Sequence, residues 1–504
     1  MARFAAIDIG SNASRLLIVD AESPASVRVI ASRREPVRMG HGVFLTGKLD
    51  VASIDRCEKV MASFAAEMKE HEVDEHRAVV TASARDAENS ALLLRKVREA
   101  GVAVEAIDGT EEARLVKIAV EEKLPLAERR ALLCDLGGGS LELSDVHHDE
   151  VRFSTSLEIG TVRLLESFLD HGKPVTKAGE HLLLEYLDRM LAPVAQEFLR
   201  RNYDVVAGTG GNFDTIAELC PVPGAALPTI DVRKARALLT RLGKMSAMER
   251  RRRYALKPDR ADVIVPALYV LRAVADLART DRVVAPGVGL KEGIAIELVE
   301  RHFSTRDPRL DEHIAARSTV QLGRRYHFDE SHATQVDRLA TLLFDALETV
   351  HGLDREDRVL LRVAALAHDI GDFVHPAAHH KHTQYIVEHS DLMGLSPELR
   401  GVVGCIARYH RRAPPSPKHP SFGGLGAEDK RKVMKLSAIL RIADALDRGH
   451  KSKVQKLDVK VRARDVILRA TGREDLSLEV WTAERKAAMF AEHFGKKVKV
   501  VGVA

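Results

Sequence analysis

The sequence predicts a mixed α/β chain: two similar halves, then a nearly all-helical region and a small α/β cap. A short acidic turn, IDIGSN from Ile7 to Asn12, returns as CDLGGGS from Cys134 to Ser140, with the two aspartates 127 positions apart. Each copy opens a run of strand-like segments that gives way to alternating helix and strand, the order of a layered α/β unit. From about Leu310 to Arg448 the apolar residues instead keep a helical period.

The first half starts with three strands: RFAAIDI, then RLLIVDA, then VRVIASRREPVRM. Ile54, Val60, Phe64 and Met68 keep one apolar face of a helix. Strand RAVVTA, helix SALLLRKVREAG ended by Gly101, strand VAVEAID and helix EEARLVKIAVEEKL stopped by Pro125 complete it. The second half restarts with ALLCDL, LELSDV and VRFSTSL, continues through helices and the strand YDVVAG, and ends in DRVVAPGVGLKEG and the helical IAIELVERH. A duplicated fold of this kind has a cleft between its halves. A linker, FSTRDPRLD, leads to the helical region, which is interrupted by APPSPKHPSFGGLG, too rich in Pro and Gly for a helix. Strands KLDVKVRARDVILRA and LSLEVW, a helix over Ala483 to Phe494 and the strand KVKVVGV form the cap. The expected domains are 1–124, 125–302, 303–448 and 449–504.

At 504 residues, with 45% hydrophobic and 30% charged residues, the chain is that of a globular protein of several domains. Aromatics are only 4%, which argues against a base-stacking platform and makes nucleic acid an unexpected ligand. The net charge of +4 is unevenly spread: residues 401–504 carry 23 Lys and Arg against 11 Asp and Glu, the rest 54 against 62. Such a tail is either a solvated surface or suited to a polyanion. Cys57, Cys134, Cys220 and Cys405 lie too far apart for a metal knuckle or a disulfide framework. An Arg and an Asp within MARFAAIDIG speak against a signal peptide, and no run of about 18 apolar residues appears. The expected location is cytoplasmic, with no membrane partner.

Glycine has no Cβ, so backbone N–H groups in a Gly-bearing turn can approach phosphate oxygens. An aspartate beside such a turn needs a cation between itself and the phosphate, so Asp8 and Asp135 imply Mg2+, or Mn2+. A plain hairpin turn explains either copy alone; two copies opening two matched halves favour a site. Gly208, Gly210 and Gly211 form a third glycine loop before a helix, either an anion site or a structural turn.

IDIGSNxSRLLI and CDLGGGSLEL resemble the phosphate motifs of the actin and hexokinase superfamily. With TASARDAEN, DGTEEARL, EIGTVRLLESF, AGTGGNFDTIA and GVGLKEG in order, the first 300 or so residues resemble the exopolyphosphatase and guanosine pentaphosphate phosphohydrolase family. Pro286 and Lys291 depart from it, standing where relatives often have Ser and Arg. The resemblance implies two actin-like (ribonuclease H-like) domains and metal-dependent hydrolysis of a terminal phosphoanhydride. Glu112 is then the catalytic base and Arg85 an arginine facing the phosphates. Gly10, Ser11, Asn12, Arg15, Gly137, Gly138, Gly139 and Ser140 contact phosphate, and Glu142 joins Asp8 and Asp135 around the metal. A base is needed to orient or deprotonate the attacking water, and a carboxylate in the first turn of a helix suits that task. For Glu111 an ordinary helix-capping role is expected.

His332, the pair His368 and Asp369, and Asp444 on separate predicted helices resemble the metal ligands of the HD phosphohydrolase superfamily, which implies an HD-like all-α domain and a second divalent metal. His375, His379, His380, His382, His389 and His410 make the region rich in histidine, and many of them are expected to be surface residues or helix caps. The basic YHRR and KRKVMK segments fit a polyanion track or a solvated helix face. The preferred substrate is inorganic polyphosphate, on the strength of the basic C-terminal half, with guanosine pentaphosphate (pppGpp) as the alternative. A hydrolytically idle nucleotide-binding sensor is the rival of another class. A homodimer is expected from the resemblance alone.

Overall fold

A computed structural model describes residues 2–40, 42–199, 201–303, 312–390 and 392–503. The chain divides into two compact units, Met1–Pro308 and Arg309–Ala504.

In the first unit the opening segments form β1 (Ala2–Ile9), β2 (Ser14–Ser23) and β3 (Ser26–Glu35), joined by β4 (Glu75–Val80) and β5 (Val104–Ala106) in the order β3-β2-β1-β4-β5. β1 is apolar on both faces and almost wholly buried, as a central strand must be. β3 lies at the edge and is largely exposed, with arginines that discourage pairing with another chain. A second sheet holds β6 (Arg130–Leu136), β7 (Leu141–His147), β8 (Glu150–Leu157), β9 (Val205–Thr209), β10 (Thr229–Asp231) and β11 (Arg282–Val284), ordered β10-β11-β9-β6-β7-β8. In both sheets an acidic strand pairs antiparallel with the strand after its turn and parallel with a later one.

The helix Val51–Glu70 is N-capped by Asp50, which accepts from the Ser53 N–H at 2.8 Å. It buries Ile54, Cys57, Met61, Phe64 and Met68; Val60, expected on that face, is only half-buried. The helix Leu290–Phe303, last in the second half by sequence, packs on β1, β2 and the helix Gly109–Glu121 of the first half. A Cβ on Gly293 would stand 2.0 Å from the Leu115 carbonyl oxygen, so only glycine permits that crossing. The same junction holds an ionic cluster: Arg77 donates to Glu105 (2.7 Å), Glu111 (3.0 Å) and Glu297 (2.6 Å), and Arg114 donates to Glu111 (2.7 Å) and to Glu297. Glu111 is thus more than a capping acid: it anchors the helix that carries Glu112.

In the second unit the helices Glu312–Arg325, Glu330–Ala346, Arg355–Ala367, His379–Glu388, Pro397–Arg408 and Ala427–Ala445 pack together. They share one hydrophobic core, running from Ala315 to Val500, with a sheet of β12 (Val454–Val461), β13 (Asp465–Gly472) and β14 (Lys497–Val503). The change of secondary structure near residue 449 is therefore not a break in packing. LSLEVW is not a strand. It begins the helix Ser477–Lys486, because the residues that bury, Leu476, Glu479, Thr482 and Ala483, follow the helical spacing while Leu478 and Trp481 face out. The Pro- and Gly-rich break contains one short helix, Pro420–Gly424, started by Pro420 at its first position. The predicted linker lies, apart from Phe303, outside the described residues.

Candidate active site

Asp8 is the penultimate residue of β1 and Asp135 the penultimate residue of β6, so each stands at the mouth of its turn. Both turns are tight: the Gly10 N–H donates to Ala13 O at 3.3 Å, and the Gly137 N–H to Ser140 O at 3.1 Å. The turns face each other closely enough that a Cβ on Gly138 would stand 2.7 Å from the Ser11 Cβ. Between them lies a cleft of about 310 Å³ whose walls include Asp8, Gly10, Ser11, Asn12, Arg15, Glu112, Asp135, Gly137, Gly138, Gly210 and Gly211.

The helix Gly109–Glu121 delivers Glu112. Asp108 caps it, accepting from the N–H groups of Thr110 (3.1 Å) and Glu111 (2.9 Å), and Gly109 lets its first turn press against Ser156 of β8. Glu111 and Glu112 diverge, the first into the ionic cluster and the second into the cleft. There Glu112 meets Asp135 and its cross-strand partner Glu142, with one carboxylate oxygen from each within 4.8 Å of the others. All three are buried. Thr209 donates to Asp135 at 2.6 Å and Ser156 to Glu142 at 2.7 Å, whereas Oε2 of both Glu112 and Glu142 is buried with no hydrogen-bond partner.

Three carboxylates brought out of water so close together resist ionisation. Burial, then the neighbouring Glu142 and Asp135, raises Glu112 well above the ordinary carboxylate range. Burial raises Asp135 to about 6 and, with the Asp135 charge, Glu142 to about 7. An oxygen-only set with two orphaned carboxylate oxygens is what a hard divalent cation such as Mg2+ or Mn2+ requires, so the residues fit that group.

Asp8 is placed differently. Arg15, its partner across the β1–β2 ladder, donates to Asp8 Oδ2 at 2.5 Å, and Asp8 lies outside the three-acid group. Arg15 therefore holds a carboxylate at the cleft wall where the resemblance assigned it to phosphate. Arg85 donates to Asp86 (2.9 Å) and to Ile107 O (3.2 Å); it does not line the cleft, though its charge acts on Glu112 and Glu142. Ser140 is buried beside Glu142, whose carboxyl its hydroxyl helps to hold down against the effect of burial. Gly139 lies against Ala82 and Phe44, and Gly208 against the Phe213 ring, so both serve packing away from the cleft wall. Gly210 has φ +93 and approaches the Leu136 carbonyl, a position only glycine fills, and Gly211 starts the helix Gly211–Leu219.

Sequence reasoning missed Arg34, Arg260, Asp214 and Thr209. Arg34 and Arg260 line the cleft and also a second pocket of about 290 Å³ with Tyr254, Leu256 and Lys257. Burial and the nearby Arg34 and Arg15 lower Arg260 to about 10, the mark of cations crowded where an anion would relieve them. Arg34 was visible in SRRE but read only as part of a strand, and nothing local sets Arg260 apart. In the second unit the four residues singled out as a metal site come together: His332 Nε2 is 3.7 Å from both Asp369 and Asp444, and His368 Nε2 is 3.4 Å from Asp369.

The family model described as Ppx/GppA phosphatase family matches residues 18–302. The chain belongs to the Ppx/GppA phosphatase family. A further model, Ppx/GppA phosphatase domain III, matches residues 314–481, so the second unit belongs to the family pattern as well. The chain is 28% identical over 444 residues to the guanosine-5'-triphosphate,3'-diphosphate pyrophosphatase of Vibrio vulnificus, covering 87% of this chain and 86% of that one. The enzyme of that name from Vibrio parahaemolyticus is 27% identical with the same coverage. Among solved structures, an exopolyphosphatase from Cytophaga hutchinsonii is similar with a TM-score of 0.55 at 26% identity, covering 59% of this chain and 98% of that one. An Aquifex aeolicus Ppx/GppA family member is similar with a TM-score of 0.51 at 27% identity, covering 60% and 99%. As a Ppx/GppA phosphatase the chain is an enzyme that hydrolyses phosphoanhydride bonds. No helix among the described residues is long and apolar enough to cross a membrane.

Proposed function

We propose that this phosphatase removes the terminal 5'-phosphate of guanosine 5'-triphosphate 3'-diphosphate, pppGpp, releasing orthophosphate. The observation that carries this choice over polyphosphate is likeness along 87% of the chain, both units included, to enzymes named for that nucleotide. The pocket of Tyr254, Leu256 and Lys257 beside the cleft supports it, being partly apolar and large enough for a nucleoside. This reverses the preference drawn from the basic C-terminal half. Polyphosphate stays the second reading, supported by the exopolyphosphatase structure and by the cleft's crowded arginines.

In the proposed reaction the N–H groups of the two glycine turns, with Ser11 and Asn12, hold the terminal phosphate, while Arg34 and Arg260 meet the following ones. Glu112 orients a water and takes its proton. The water oxygen bonds to the terminal phosphorus, the bridging P–O bond breaks, and the electron pair leaves with the shortened nucleotide. Burial among acids raises the proton affinity of the Glu112 carboxylate, the property a general base needs. Asp135 and Glu142 would hold a divalent cation, which supplies charge neutralisation between carboxylates and phosphate.

The same reading takes the two sheets as copies of one actin-like unit, since β3-β2-β1-β4-β5 and β8-β7-β6-β9-β11 run in the same order. It takes the second unit's helices as HD-like, and carries over from the family resemblance a homodimer acting in the cytoplasm. Phosphate release from pppGpp and from long-chain polyphosphate, measured side by side, tests the substrate: kcat/KM should be higher for the nucleotide, and a large excess for polyphosphate would reverse the choice. Unchanged turnover in a Glu112→Gln variant would remove Glu112 from the role of base, and no phosphate release from either substrate by the wild type would favour an idle sensor instead.

A further inference from the structure

We propose that Glu297 is a positioning residue for the cleft reaction: through Arg77, Arg114 and Glu111 it sets how the helix that carries Glu112 is turned relative to the cleft wall at residues 287–292. The inference rests on Glu112 as the base and not on the choice of substrate.

Four charged side chains at the junction of the two halves form a closed ring. Glu297 Oε1 accepts from Arg77 Nη1 at 2.6 Å, and its Oε2 accepts from Arg114 Nη2. Arg114 also donates from Nε and Nη2 to the two oxygens of Glu111 at 2.7 and 2.8 Å, and Arg77 Nη2 closes the ring on Glu111 at 3.0 Å. Glu105, half exposed, accepts from Arg77 Nε outside the ring. Glu297 is only 1% exposed and Arg114 3%. Taking such groups out of water is costly, and apolar side chains of similar volume often stabilise a fold at least as well. What an ionic ring adds is direction, because each planar guanidinium fork meets its carboxylates in few geometries.

That direction bears on the cleft from both helices. Glu111 is followed by Glu112, and neighbours on a helix point about 100° apart, so a pinned Glu111 fixes where Glu112 points. Glu297 belongs to the helix Leu290–Phe303, whose first turn lines the cleft together with the loop before it. Gly293, about one turn before Glu297, is where this helix crosses Leu115, the chain neighbour of Arg114. The crossing sets the separation of the two helices; the ring sets their rotation. Glu112 depends on this support, since its Oε2 is buried without a hydrogen-bond partner among the described residues and Glu142, Asp135 and Asp8 repel its charge. The two acids and two bases of the ring balance, and the charges acting most on Glu112 are those three acids and Arg85, so the ring acts on it through the backbone.

A double-mutant cycle on kcat tests this. Glu297→Gln keeps the size of the side chain but sets an amide NH2 against a guanidinium. For phosphate release from the better of the two substrates, kcat should fall by about 10- to 100-fold while KM stays within about threefold. Made in the Glu112→Gln background, the same substitution should change kcat by less than about twofold, because the group it positions is gone. Should urea melts show that Glu297→Gln does not fold, Arg77→Lys takes its place: it keeps the charge, loses the fork and should show the same dependence on Glu112. Equal losses in both backgrounds, or an undiminished kcat in a folded variant, would overturn the positioning role and leave the ring a purely structural cluster. Unchanged turnover in Glu112→Gln alone would instead overturn the base on which the inference rests, so the two failures are told apart.

Discussion

The two acidic hairpins look alike in sequence and differ in charge. Asp8 and Arg15 face each other across β1 and β2; Asp135 and Glu142 occupy the matching places across β6 and β7, each member displaced by the same 127 positions. In the first hairpin the acid is offset by a guanidinium 2.5 Å away. In the second, acid faces acid, and Glu112 adds a third carboxylate. A repeated motif has thus been split between two tasks. The first hairpin is already close to neutral and offers its turn to an anion, while the second holds an excess of negative charge that only protons or a cation can relieve.

That difference can be broken from the side of the second hairpin first. Glu112→Gln keeps the shape of the side chain and removes its basicity, so kcat for phosphate release should fall by about 10²–10⁴-fold while KM changes little. The next effect is on stability without metal. Burial holds Glu142 at about 7 and Asp135 at about 6, above the 4.5 and 3.8 of the free groups, so the folded form keeps these protons more tightly than the unfolded one. Their stabilising contribution is complete below about pH 4 and is lost as pH rises through 6 to 7, by on the order of 3 kcal/mol for each group. Urea melts of metal-stripped protein at a series of pH values should show this decline, and Mg2+ should abolish it. In the first hairpin Asp8→Asn leaves Arg15 without its charge partner. Arg15 is partly exposed, so the cost should be about 1 to 3 kcal/mol in the same melts, below that of a fully buried pair.

The legible parts of this molecule were local ones. Both glycine turns, the order of elements through the first unit and the place of Glu112 in a helical first turn could be read because turn chemistry and periodicity act over a few residues. What escaped depends on residues far apart in sequence. Whether Asp8 meets a cation or an acid is set by strand register; Arg260 reaches the cleft from the one-turn helix Pro258–Ala261, which has no distinguishing pattern; and the helix Leu290–Phe303 returns to the first sheet. His379 and His410 were lost among many histidines, since only packing tells a converging imidazole from a surface one. LSLEVW misled because its apolar residues alternate while its buried ones do not.

Mg2+ binding measured by calorimetry on the wild type, Glu142→Gln and Asp8→Asn tests the division between the hairpins most directly. The account predicts that Glu142→Gln weakens binding by about tenfold or more, while Asp8→Asn leaves it within about threefold of the wild type. The reverse result, with binding lost in Asp8→Asn and kept in Glu142→Gln, would contradict it.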